Sequence, residues 1–263
     1  MVTGNGIPPY DFVAVTPNAL VAQSHSWEIP RYPALAAQPT DIPLLGQVGF
    51  AVNGLPFFGP NEAGQPADQA FGDPIYNAIM DGCLGHTANE YHYHALLVKC
   101  LLQENLTAQP WTLEDPPADQ PSPIIGYALD GFPIYGPNEC ADESCTSVVE
   151  MLSGYDQVGD PKTNAWEAYA YSDKGDATHL DECNGHVGPG GDYHYHATSG
   201  FPYILGCYAG TPVTAGTTAG TGTGAGGGGG MNPPECGPGQ TEMCCGDGVC
   251  DGPETAQNCP ADC

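Results

Sequence analysis

Two tracts of this sequence occur twice, in the same order, and no fold that ignores the duplication can satisfy the chain. "GFAVNGLPFFGPNE" (residues 49–62) returns as "GYALDGFPIYGPNE" (residues 126–139), an offset of 77 residues. "DGCLGHTANEYHYH" (residues 81–94) returns as "DECNGHVGPGGDYHYH" (residues 181–196), about a hundred residues on. The period is too long for a solenoid, whose units run to roughly 20–45 residues. A duplication inside one domain, with copies over about 49–100 and 126–207, is the economical reading. Gly (37 residues) and Pro (27) are abundant and favour turns and short strands over long helices. The expected fold class is therefore all-β, a pseudo-twofold β-rich domain with much loop.

Alternating β-branched and aromatic residues between Gly, Pro and Asn turns place strands near 49–52, 91–98, 124–129, 168–171 and 193–198. "SVVEML" (residues 147–152) is the best candidate for a short helix. At Ala209 the composition turns Gly/Thr-rich, which predicts a linker over 209–235 after a duplicated domain over 1–208. The last stretch, 236–263, carries six cysteines (Cys236, Cys244, Cys245, Cys250, Cys259 and Cys263) and reads as a small stapled module.

Four of the eight histidines lie in the two Tyr-His-Tyr-His tracts. In a strand, residues i and i+2 face the same way. His92 and His94 then share one face, and His194 and His196 another, with the tyrosines behind them as core. The Cys-x-x-His before each tract adds a third imidazole, His86 and His186. Neutral imidazole suits copper, zinc, nickel and iron, and three His per copy fit a metal site with a position left open. Two other readings stay open: structural histidines bonded to backbone or carboxylates, and a closed zinc site of Cys83, His86, His92 and His94. Asn61–Glu62 and Asn138–Glu139 recur as well and could offer carboxylates to a cation, but Gly-Pro-Asn reads as turn chemistry. Asp130, matched by Asn53, suits a turn role. His25 and His179 make no strong claim.

Twelve cysteines, an even number, point to disulfides and an oxidising compartment. Cys83 and Cys100 bracket the first His strand, and Cys183 and Cys207 bracket the second. Disulfides Cys83–Cys100, Cys140–Cys145 and Cys183–Cys207 are expected, with the six C-terminal cysteines pairing among themselves. The expected location is extracellular. The first residues, "MVTGNGIPPYDF", lack the basic start and apolar core of a signal peptide, so the export signal is expected to be missing from the sequence. No apolar run reaches the length of a membrane span. A net charge of -27 argues against nucleic acid and anionic membranes as partners. "NLT" (residues 105–107) fits a glycosylation sequon.

The motifs "GFAVNGLPFFGPNE", "CLGHTANEYHYH", "GYALDGFPIYGP", "CNGHVGPGGDYHYH" and "FPYILGCYAG" together resemble the YHYH-domain family of exported, mostly bacterial proteins, over about residues 5–210. The resemblance implies secretion and a single duplicated domain, and carries no established activity. "CCGDGVCDGPETAQNCPADC" is similar to short Cys-rich repeats that end many exported bacterial proteins, and more loosely to Notch-type calcium repeats. By that likeness Asp247, Asp251, Glu254 and Asp262 are calcium ligands, in keeping with the ion's preference for oxygen.

Three functions follow as expectations. The first is a secreted metal-binding protein, copper favoured over zinc, that sequesters or displays metal. The second is a structural filament or matrix subunit that self-associates through its C-terminal tail. The third is a copper- or zinc-dependent enzyme, ranked last because no general base or substrate pocket can be named.

Overall fold

The computed structural model describes residues 1–11, 13–63, 70–88, 90–95, 100–101 and 118–213. The C-terminal cysteines, the calcium ligands inferred by likeness, the "NLT" tract and all but the first residues of the Gly/Thr-rich stretch lie outside the described residues. Among the described residues no helix is long and apolar enough to cross a membrane.

The duplication is laid out in one eight-stranded sheet. Its order is Gly185–Val187, Tyr193–His196, Pro133–Tyr135, Ile124–Ala128, Gln47–Ala51, Pro56–Phe58, Tyr91–Tyr93, Gly85–Thr87. Each copy supplies one half, and the halves meet where Gln47–Ala51 pairs antiparallel with Ile124–Ala128. There Phe50 faces Tyr127, with Ala51 opposite Gly126 and Gly49 opposite Ala128, so this register is itself two-fold. Outward from that seam each copy makes a hairpin, then a parallel pairing: Phe57 with Tyr93 in the first, Ile134 with Tyr195 in the second. The outermost hairpins set His86 opposite His92 and His186 opposite His194.

The core fills from the aromatic members of the repeats. Phe50, Phe57, Tyr91, Tyr93 and Tyr195 are fully buried, as are Leu55, Ile125 and Ile134. The tyrosine hydroxyls are satisfied inside it: Tyr91 donates to Asp81 Oδ2 at 2.8 Å, and Tyr193 to Asp181 Oδ2 at 2.8 Å. This contact is why a glycine precedes the third histidine. A Cβ on Gly85 would stand 2.6 Å from the Tyr91 hydroxyl, and one on Gly185 2.4 Å from that of Tyr193.

Most strand expectations hold with altered ends. The first YHYH strand stops at Tyr93, short of the expected residue 98, and residues 96–99 lie outside the described set. The second runs Tyr193–His196. The helix expected at 147–152 is not there. Val148–Glu150 is a strand paired with Asn138–Cys140, since adjacent β-branched valines favour extended backbone and the Cys140–Cys145 disulfide closes the intervening loop. The short helix is Ala165–Ala168 instead, capped by the Asn164 side chain.

All three disulfides expected within the body are present, Cys83–Cys100, Cys140–Cys145 and Cys183–Cys207. The Asp130 and Asn53 side chains sit in equivalent turns, accepting from the amides of Phe132 and Leu55.

Candidate metal centres

Each YHYH strand is placed by a turn that begins at an aspartate. Asp81 Oδ1 accepts from the amides of Cys83 and Gly85, and Asp181 Oδ1 from those of Cys183 and Gly185. Leu84 and Asn184 take left-handed φ values of 63° and 67°, which brings the chain round so that His86 and His186 start the outer strands. Cys83–Cys100 and Cys183–Cys207 then tie these turns down from beyond the His strands.

The first three imidazoles meet. Ring centroids of His86, His92 and His94 lie 4.7–5.1 Å apart. The Nδ1 atoms all face backbone carbonyls: His86 that of Ile79 at 3.0 Å, His92 that of Glu90 at 3.2 Å, His94 that of Gly59 at 2.6 Å. The Nε2 atoms all face Glu62 Oε2, at 2.8, 3.8 and 2.9 Å respectively. The second copy repeats this. His186 Nε2 is 2.9 Å from Glu139 Oε2, His194 Nε2 2.9 Å from Oε1, and His196 Nε2 3.9 Å from Oε2. There the Nδ1 atoms of His194 and His196 face the carbonyls of Asp192 and Gly136.

This geometry constrains the protons. A backbone carbonyl only accepts, so each Nδ1 facing one carries its hydrogen, and a neutral ring then presents a bare lone pair at Nε2. A carboxylate also only accepts. Lone pairs aimed at an anion repel it unless a cation lies between, either a proton on each ring or one metal ion for the set. Protons on all three rings would pack like charges within about 5 Å of one another. Burial pushes the His92 imidazole down to about 4 and that of His196 down to about 3, so both are neutral at pH 7. Their Nε2 atoms are buried and without a hydrogen-bond partner among the described residues. Burial pushes Glu62 up, but the three imidazoles facing it hold it far below the usual carboxylate range. Glu139 is likewise pushed up by burial and pulled down to about 2 by His186 and His194. Both sites focus imidazole nitrogens and a carboxylate on one point, which is a donor set a metal ion could satisfy.

All six histidines named from the sequence converge, three to each site, and each set could hold a metal ion together with its glutamate. One sequence reading is corrected, and one alternative is excluded. Glu62 and Glu139 are members of the clusters rather than parts of a plain turn, each lying on a short strand, Glu62–Ala63 and Asn138–Cys140. The closed zinc site through Cys83 does not form, since that sulfur is bonded to Cys100. Asp81 and Asp181 were not singled out, although both stand at the same place in the two copies. Burial raises both carboxyls, which serve as turn anchors. His25 and His179 stay apart from the clusters, paired with Glu90 and Asp176. The tyrosines of both tracts point into the core, and burial drives their phenols up, so they stay neutral.

Comparison with known proteins finds one family model, described as YHYH protein, that matches residues 26–210. No curated protein and no solved structure matches.

Proposed function

Because the chain belongs to the YHYH protein family, whose model takes in both copies of the repeat, we propose that it is an exported metal-binding protein holding two transition-metal ions, copper before zinc, one on His86, His92, His94 and Glu62 and one on His186, His194, His196 and Glu139. The observation that carries this reading is the shared direction of the imidazoles: Nδ1 fixed on main-chain carbonyls, Nε2 aimed at one carboxylate. Such outer bonds set the tautomer and orientation of metal-binding histidines. Three nitrogens and one oxygen suit copper(II) and zinc, and at equal availability such a site prefers copper. A bound ion would supply the positive charge that each partly buried glutamate and its facing lone pairs lack.

Export is supported by the three disulfides, which persist in oxidising compartments. The chain's own residues hold the ion by orientation and burial. The facing histidines and glutamates are all taken up as ligands in this reading, which assigns no separate general base, so storage or display of metal is preferred to catalysis.

Elemental analysis of protein purified from its native source tests the proposal. Two equivalents of copper or zinc are expected, falling to none in the His92→Ala/His194→Ala double variant. Uptake equal to that of the unmodified protein in the double variant would defeat it.

A further inference from the structure

The two sites differ in how far solvent reaches their imidazoles. In the first, the side chains of His86, His92 and His94 are 2%, 0% and 0% exposed. In the second, His186 and His194 are 19% and 11% exposed, and only His196 is sealed, at 1%. The copies also differ at one position packed on these rings. Phe58 lies flat on His92, ring centroids 3.9 Å apart, whereas its counterpart Tyr135 meets His194 at a steep angle, 4.9 Å away. A cavity of about 330 Å³ opens beside Tyr135 and reaches His194, His196 and Glu139. Asp142, Glu143 and Asp192 line its mouth, all exposed, and among the described residues no lysine or arginine lines it. At its end the buried Nε2 of His196 has no hydrogen-bond partner among the described residues.

We propose that the second site is an exchange site, which takes a hydrated divalent cation from solution through this acidic mouth and gives it up again, while the first site retains its ion. The inference rests on the metal reading of both sites. A hydrated ion sheds water one ligand at a time, so capture is fast where the first imidazoles it meets face solvent. Release by a competing ligand needs the same access, because that ligand must reach the ion before the last imidazole lets go. His194, which lines the cavity, offers this access, and the Phe58 stack denies it at the first site. Carboxylates without nearby cations raise the local concentration of divalent ions and speed their encounter.

The test loads the full chain with two equivalents of copper(II) and follows removal by excess EDTA in a stopped-flow spectrometer. Two phases of one ion each are expected. His194→Ala should abolish the fast phase and leave the slow one, and His92→Ala should do the reverse. Should His92→Ala fail to fold, the loss of the fast phase in His194→Ala still assigns it. Glu143→Gln with Asp192→Asn should slow reloading of the second site several-fold at low ionic strength, with the difference closing at high salt. Both ions leaving in one phase, or a fast phase that survives His194→Ala, overturns the exchange proposal and leaves the metal reading standing. Absence of binding at both sites overturns the two together.

Discussion

Phe58 stacks on His92 with ring centroids 3.9 Å apart and planes 19° from parallel. The contact covers an imidazole that already has no exposed surface. Phe58→Ala should therefore loosen the first site without removing a ligand. We expect a loss of about 1–2 kcal/mol in the unfolding free energy of the metal-free protein, in line with truncating a half-buried aromatic. Slow copper release should accelerate at the same time. Urea unfolding and chelator kinetics check the two parts separately.

Glu62→Gln keeps the shape of the carboxylate and removes its charge. It should weaken copper at the first site by about 10-fold or more, since losing even an outer partner of a metal ligand costs that much. Glu139→Gln should do the same at the second site. Competition against a chelator of known strength gives the answer, and unchanged affinity in both variants would remove the glutamates from the ligand sets.

Acid should destabilise the metal-free protein through its buried imidazoles. The imidazoles of His92 and His196 are pushed from the ordinary 6.5 down to about 4 and about 3 by burial. Below pH 6.5 the unfolded chain takes up protons at these positions that the folded chain refuses. Stability therefore rises with pH across that window and falls as pH drops from 6.5 toward 4. Urea midpoints measured at pH 7, 6, 5 and 4 should decline in step. His92→Gln should flatten part of the slope, and a slope unaltered in that variant would contradict the assignment.

Asp81 holds three buried donors, the amides of Cys83 and Gly85 and the hydroxyl of Tyr91. Asp81→Ala removes the carboxylate that accepts from all three and should cost about 3 kcal/mol. Asp81→Asn keeps an acceptor for the amides, and the Tyr91 hydroxyl can rotate to accept from the new amide, so most of the loss should be recovered. The split between the two variants in thermal unfolding identifies the aspartate as a hydrogen-bonded anchor. Equal loss in both would point to its charge instead.

Much of this was legible in the residues themselves. A period of two in a strand puts His92 with His94, and His194 with His196, on one face whatever the surrounding fold, and repetition in both copies marks His86 and His186 as their companions. Bracketing of equivalent strands likewise identified Cys83–Cys100 and Cys183–Cys207. The helix expected at 147–152 was misplaced because "SVVEML" has an apolar pattern short enough to suit either state. The antiparallel pairing with Asn138–Cys140 decided between them.

What only the tertiary structure decided is the fourth member of each site. Glu62 is 24 residues from His86 and 32 from His94, and no local period connects a Gly-Pro-Asn-Glu segment with a strand so far along the chain. The parallel pairing of Phe57 with Tyr93 and of Ile134 with Tyr195 makes the connection. It lays each hairpin against its YHYH strand, so the residues just past Phe58 and Tyr135 reach the imidazoles. Sequence alone could therefore specify which histidines face the same way, because that follows from backbone geometry within one strand. Which carboxylate they face, and how open each site is, depends on long-range pairing, and no short stretch of residues encodes that.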